Sequence, residues 1–202
     1  MKYELVKTDT KEIEGTTLYR IRALTAIRYS VSPGDLGGYI QSEKNLSQEN
    51  NAWVFNNACV SDNACVYDNA CMSDNARMSG NAWMSDNARM FGNARMSGDA
   101  WMSGDAWMFG NAWMSGDAWM SGDACVSNRT QWILIGPAKS SGRFTTAFKD
   151  AKLGVRVVCG CFTGTVKEFS EAIENRHKDN KESLEQYRLF CQLIAFNFGV
   201  KK

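Results

Sequence analysis

A six-residue repeat without insertions runs from Asn51 to Ser127 and limits what this chain can fold into. Alanine occurs every six residues from Ala52 to Ala124, and Val or Met stands two residues after each alanine. A period of six matches neither the 3.6-residue period of an amphipathic helix nor the two-residue period of an isolated strand. The repeat therefore predicts short identical units that stack on one another.

Each six-residue unit, or hexad, predicts a short strand and a tight corner. The Ala and Val/Met positions are two residues apart, so both point inward while the residue between them points outward. The pair before each alanine, such as Gly80-Asn81 or Asp86-Asn87, tolerates the left-handed backbone that a sharp corner requires. Three hexads close one triangular coil, which stacks residues 18 apart in sequence at about 4.8 Å. Nine consecutive Met, from Met72 to Met120, form the predicted core ladder.

The hexad (Val/Met)-(Ser/Phe/Tyr)-(Gly/Asp/Asn)-(Asn/Asp)-Ala-x resembles the hexapeptide repeat of left-handed parallel β-helices. The segments Leu18–Leu24, Gly34–Ile40 and Asn45–Glu49 are similar to the openings of hexapeptide-repeat proteins from bacteriophages, prophages and enterobacteria. Cys159–Phe169 is similar to a C-terminal module of such phage proteins. The resemblance implies this fold and such an origin, favours a trimer, and implies no established activity.

The sequence predicts a mainly β fold in three parts. These are an N-terminal β cap (1–50), a left-handed parallel β-helix of about four coils (51–131) and a small C-terminal α+β domain (132–202). A cap is expected because an open β-helix exposes unpaired strand edges at its ends.

Individual elements outside the repeat can also be predicted. Strands are expected over 3–6 and 18–24, with a turn near Glu14-Gly15 and a loop over 32–38; further strands are expected over 132–135, 143–148 and 155–159. Thr165 and Glu168 form a capping box that begins one helix, and a second helix begins near Ser183.

The outward residues divide into three faces when they are sorted in steps of 18. The first face carries Trp53, Cys71, Arg89, Trp107 and Cys125, beside Phe55, Phe91 and Phe109. The second face carries Cys59, Arg77, Arg95 and Trp113. The third face carries Cys65, Trp83, Trp101 and Trp119, beside Tyr67.

These aromatic columns predict an interface. A continuous outward aromatic surface exceeds what monomers usually expose, so we expect another chain or a partner to cover Trp83, Trp101 and Trp119 or, failing them, Phe91, Trp107 and Phe109. The alternative is that the rings stack only on their own neighbours, with Arg95 over Trp113.

Charge is distributed unevenly along the chain. The solenoid has eight acidic and four basic residues, whereas residues 132–202 have seven acidic and twelve basic ones. The loop 136–143 adds small residues and hydroxyls, a composition suited to holding an anion on backbone N–H groups. The predicted anion site comprises Lys139, Ser140, Ser141, Arg143, Thr145 and Thr146. A solvated loop is the alternative.

We expect no catalytic residue, no cofactor and no metal centre. A hexapeptide acyltransferase would need a histidine base in or beside the coils. The single histidine of this chain, His177, instead follows a predicted helix outside the coils, and we expect it to be solvated. Asp99 stacks with Asp117, and Asp105 with Asp123; such pairs hydrate or, alternatively, bind a divalent cation.

The expected location is the cytoplasm, that of the host cell if the chain is phage-encoded. Seven Cys, an odd number without a secretory signal, indicate reduced thiols. No apolar run of about 18 residues predicts a membrane span.

Together these features predict a non-catalytic phage-type β-solenoid that binds copies of itself or sequesters a host factor. The candidate partners are further copies of the chain, a host protein and a nucleotide-like small molecule, with a role against host defence as one specialisation. Duplex nucleic acid is not expected as a partner. A structural component of the virion or an appendage is the alternative, and a degenerate hexapeptide acyltransferase is a weaker one.

Overall fold

The computed structural model describes residues 1–28 and 30–200. It is mainly β, with a β-solenoid of about five turns followed by a region of two helices and a four-stranded sheet. The predicted mainly β fold, with a solenoid and an α+β C-terminal region, is therefore confirmed. Residues 201 and 202 of the predicted C-terminal domain lie outside the described residues.

The N-terminal part contains three strands that lead into the solenoid. These are β1 (Tyr3–Ile13), β2 (Thr16–Ala23) and β3 (Leu36–Ile40). Two short 3₁₀ turns, Glu43–Asn45 and Arg129–Gln131, lie just before and just after the hexads.

Thirteen two-residue strands build the solenoid, one in each hexad. They are β4 (Trp53–Val54), β5 (Cys59–Val60), β6 (Cys65–Val66), β7 (Cys71–Met72), β8 (Arg77–Met78), β9 (Trp83–Met84), β10 (Arg89–Met90), β11 (Arg95–Met96), β12 (Trp101–Met102), β13 (Trp107–Met108), β14 (Trp113–Met114), β15 (Trp119–Met120) and β16 (Cys125–Val126). Strands three hexads apart pair in parallel: β4-β7-β10-β13-β16, β5-β8-β11-β14 and β6-β9-β12-β15. Each sheet carries one of the three predicted faces.

Backbone hydrogen bonds join each coil to the next. The N–H of Trp83 donates to the carbonyl of Ala100 at 2.9 Å, and the N–H of Ser85 donates to the carbonyl of Met102 at 3.0 Å. Inside the coils, every alanine and every Val or Met of the hexads is at most 1 % exposed. The inward assignment of both positions is confirmed.

The corners have the predicted left-handed backbone. The first residue of the corner pair has a positive φ in all thirteen hexads, from Asn50 (55°) to Gly122 (68°). Asn or Asp occupies six of these positions and Gly seven. At Gly98, a Cβ atom would lie 2.8 Å from the backbone nitrogen of Gly116 in the next coil, so the stacking there requires glycine.

The N-terminal hairpin confirms one prediction and corrects another. β1 and β2 are antiparallel and joined by Glu14 and Gly15, both with positive φ, as the predicted turn requires. The predicted loop over 32–38 is wrong from Leu36 onwards, because β3 begins there. A Cβ atom at Gly38 would lie 2.5 Å from the Ala58 carbonyl, so the glycine that suggested a loop allows close packing on the first coil.

The N-terminal cap also supplies part of a further turn. β3 pairs in parallel with β5, and Leu46 forms a parallel bridge with Val66, which extends the solenoid from the predicted four coils to about five. The Tyr3 hydroxyl donates to the Leu46 carbonyl at 2.7 Å, and Lys2 Nζ donates to the Ala52 carbonyl at 2.9 Å. Burial lowers the pKa of Lys2 to about 8.

The C-terminal region is an antiparallel sheet with two helices. Its strands are β17 (Trp132–Ile135), β18 (Thr145–Asp150), β19 (Gly154–Cys159) and β20 (Phe162–Gly164), followed by α1 (Val166–His177) and α2 (Lys181–Phe198). The three predicted strands and the Thr165/Glu168 capping box are confirmed, whereas β20 was not predicted. Neither helix in the described part of the chain is long and apolar enough to span a membrane.

Strand β18 closes the last coil of the solenoid. Phe148 is completely buried in the solenoid core, and the Thr146 hydroxyl accepts a hydrogen bond from the otherwise unpaired N–H of Trp119 at 3.0 Å. The N–H of Ala151 donates to the carbonyl of Asp123 at 3.0 Å. These contacts provide hydrogen-bond partners for backbone groups at the end of the solenoid that would otherwise have none.

A buried ion pair reinforces this cap. Arg156 Nε donates to the buried carboxylate of Asp150 at 2.6 Å. Burial alone would raise the pKa of Asp150, but the hydrogen bonds from Arg156 and from the backbone N–H groups of Leu153 and Lys152 outweigh it and hold the pKa below its usual value.

Replacing Ala100 with Leu should overpack the coil and lower the free energy of unfolding by about 1–3 kcal/mol. The control is Arg77→Leu, which places the same side chain at an exposed outward position of the same repeat. Chemical denaturation of both variants measures the difference. An Ala100→Leu protein as stable as its parent would mean that the inward positions have been misassigned.

Replacing Asp150 with Asn should destabilise the protein by about 3 kcal/mol at pH 7, since it removes the nearer and buried carboxylate partner of Arg156 and leaves only Asp123, at 4.0 Å. Because the folded-state pKa of Asp150 is depressed, this stabilisation is present above the ordinary Asp pKa of about 3.9 and is lost as pH falls through the folded-state value. The difference in melting temperature between parent and variant should therefore shrink below about pH 4. A difference that is constant from pH 7 to pH 3 would contradict this assignment.

Candidate functional site

The structure divides the predicted anion site into two groups. Ser140, Ser141 and Arg143 line a cavity in the C-terminal region. The other three residues do not line it. Lys139 Nζ pairs with Glu182 at 3.3 Å on the surface, while Thr145 and Thr146 are buried in β18. The Thr146 hydroxyl accepts the cap hydrogen bond from Trp119, and the Thr145 hydroxyl has no partner among the described residues.

The cavity, here called the C-terminal pocket, has a volume of about 370 Å³. It lies between the loop that precedes β18, the turn between β19 and β20, the end of α1 and the beginning of α2. Its basic lining residues are Arg143, Arg176 and His177. Its hydroxyl-bearing and apolar lining residues include Ser140, Ser141, Ser183, Tyr187, Phe162, Phe169 and Ile173. No Asp or Glu is among the lining residues.

Local backbone contacts position Arg143 at the pocket. The buried Ala138 fixes the loop: its N–H donates to the carbonyl of Arg143 at 2.8 Å, and its carbonyl accepts from the N–H of Gly142 at 2.7 Å. The Arg143 guanidinium lies over Gly160, where a Cβ atom would be 2.9 Å from Nη1. Gly160 also has a φ of 58°, so a side chain there would strain the backbone.

Tyr187 forms the inner wall of the pocket. Its hydroxyl shares a hydrogen bond with the Ser141 hydroxyl at 3.1 Å. Burial raises the pKa of Tyr187, so the phenol stays protonated at neutral pH and keeps a proton to donate. The ring packs edge-on against Phe169 and Phe190.

His177 is not simply solvated, and that prediction is wrong. Its ring is half-buried and stacks on Tyr187, with 5.0 Å between ring centroids and 23° between planes. Arg176 and His177 were missed as pocket residues because the last turn of a helix is a common place for basic residues. The loop that they face comes from a segment more than thirty residues earlier in the chain, and no local pattern indicates that contact.

The aromatic column of the third face is continuous. The rings of Trp83 and Trp101 lie 6.0 Å apart, and those of Trp101 and Trp119 lie 5.4 Å apart with 13° between planes. Their exposed fractions are 45 %, 41 % and 37 % in chain order. Tyr67 extends the column at 5.4 Å from Trp83.

The other two faces differ in part from the expected pattern. On the first face, Phe91 stacks on Phe109 at 5.1 Å and contacts Trp107 edge-on. Trp53 is in register with Cys71 on the same face, but it is buried there beside Tyr3 of the N-terminal segment and is not exposed. On the second face, Arg129 covers Trp113 at 4.4 Å from the ring centroid, in the place expected for Arg95.

Three of the four carboxylates predicted to stack at the corners have a cation or a hydrogen-bond donor beside them. Asp123 pairs with Lys152 at 2.9 Å, and this hydrogen bond raises the pKa of Lys152. Asp99 and Asp105 accept hydrogen bonds from the Asn side chains of the preceding coil, Asn81 and Asn87, at 2.8 and 3.1 Å. Among the described residues, no group of three or more His, Cys, Asp or Glu has the arrangement of a metal site.

Comparison with known proteins gives no family for this chain. No family model matches its sequence, and no curated protein matches it.

Proposed function

We propose that this chain is a non-catalytic binding and assembly protein of the bacteriophage and prophage hexapeptide-repeat type, and that it self-associates through its third face. The observation that carries the proposal is the unbroken column of Trp83, Trp101 and Trp119, with rings 5.4–6.0 Å apart and more than a third of each side chain exposed. An exposed aromatic surface of this length is typical of an interface.

A second copy of the chain is the partner that fits this column. The column repeats once per coil at the strand spacing of about 4.8 Å, and a second solenoid has the same repeat. Rings from two such columns can therefore pack in register along their whole length. The neighbouring residues Ser85, Ser103 and Ser121 are small, which leaves room beside each tryptophan for a ring of the other copy.

The resemblance of the hexads to phage hexapeptide proteins supports the rest of the proposal. It favours a trimer, and it suggests sequestration of a host protein or small molecule in the cytoplasm of the host cell. The non-catalytic role is supported by the lack of a histidine in the coils and by the absence of inserted loops in the hexads, where an acyltransferase would build its acceptor site.

Sedimentation velocity of the purified protein tests the proposal. The parent should sediment as an oligomer, and Trp101→Ser should raise its dissociation constant at least about tenfold, since buried tryptophans dominate interface energies. The coil should remain folded, because serine already occupies the adjacent outward position, Ser103. The matched control is Trp113→Ser, which removes an equally exposed tryptophan from the second face. A monomeric parent, or equal weakening by the two substitutions, would contradict a third-face interface.

A further inference from the structure

We propose that the C-terminal pocket binds a small phosphorylated ligand with a planar ring, of the nucleoside monophosphate class. This site goes beyond the proposed self-association and does not depend on it. The proposal rests on one observation. Arg143, Arg176 and His177 line the same cavity of about 370 Å³, and no acidic residue is among its lining residues.

The two arginines differ from several other cations of the same region. Lys139 pairs with Glu182, Lys152 with Asp123 and Arg188 with Glu174. In the described part of the chain, neither Arg143 nor Arg176 has a carboxylate within 4.0 Å. Positive charge gathered at one cavity without a counter-charge attracts an anion.

The chemistry of the polar groups favours phosphate among anions. A guanidinium can donate two parallel hydrogen bonds to phosphate oxygens, and the Arg143 guanidinium lies over Gly160 at the pocket. The Ser141 and Tyr187 hydroxyls, 3.1 Å apart, add neutral donors at the same wall.

The apolar part of the lining favours a ring attached to the phosphate. His177 and Phe162 are both half-buried and line the pocket, and each is held by a buried aromatic neighbour. Their partners are Tyr187, at 5.0 Å, and Phe169, at 5.1 Å. In nucleic-acid-binding proteins, planar bases stack on such rings. The volume is also within the range of small-molecule sites, about 300–1,000 Å³.

Calorimetry on the full-length protein tests the ligand class. The probes are the four ribonucleoside 5′-monophosphates, tested separately, with inorganic phosphate, ribose 5-phosphate and adenosine as partial ligands. At least one nucleoside monophosphate should bind with a dissociation constant below about 1 mM and more tightly than any partial ligand. Added salt should weaken the binding.

Substitutions locate the site. Arg143→Gln and Arg176→Gln should each weaken the binding at least about tenfold, the effect of losing one charged hydrogen bond. Lys139→Gln removes the same charge from a residue four positions before Arg143 but outside the pocket lining, and it should change the affinity less than about twofold. Trp101→Ser should leave the binding intact, which separates this proposal from self-association.

Three results would overturn the proposal. One is that no nucleoside monophosphate binds at a concentration of about 5 mM. Another is that inorganic phosphate binds as tightly as the nucleotides, which would remove the planar ring from the ligand. The third is that binding survives both pocket substitutions. Its loss in Arg77→Gln or Arg95→Gln would then place the anion on the second face, where these two arginines are directly paired.

Discussion

The hydrogen bonds between successive coils are the interaction on which the rest of the structure depends. From Trp53 to Trp107, each outward strand residue donates its N–H to an alanine carbonyl of the next coil, and the pattern repeats on all three faces. This register stacks identical positions directly on one another. Alanine and methionine therefore form a closed core, corner glycines meet corner glycines, and tryptophans form a column. The backbone register alone therefore places the tryptophan side chains of successive coils next to one another, and this produces the aromatic surface.

A stacked solenoid requires closed ends, and the C-terminal end links the scaffold to the pocket. Phe148 and Thr146 in β18 close the last coil, and the loop that holds Arg143 leads directly into this strand. Arg143 consequently lines the pocket on one side and, on the other, a cavity of about 230 Å³ that it shares with Trp119. The proposed interface and the proposed ligand site are thus neighbours.

The sequence was most informative where the environment of a residue depends on the repeat alone. The inward positions, the left-handed corners and the three faces could all be predicted, because each follows from a period of six. The prediction failed where contacts come from distant segments. The N-terminal segment buries Trp53 beside Tyr3, and Gly38 packs on a carbonyl, although the same residues suggest an exposed ring and a loop. Likewise, composition indicated Arg143 as a candidate anion ligand but could not reveal that the end of α1 lines the same cavity. It also included Lys139 and Thr146, which the fold uses elsewhere.

Amide hydrogen exchange on the intact protein tests the stacked-coil account most directly. The backbone N–H groups of the central coils, for example those of Trp83, Arg89 and Arg95, each donate to the next coil and are flanked by coils on both sides. They should exchange slowest and as one cooperative group, while amides of the N-terminal hairpin and of α2 exchange faster. Rapid exchange throughout the hexads, with the slowest amides in the C-terminal helices, would contradict the account.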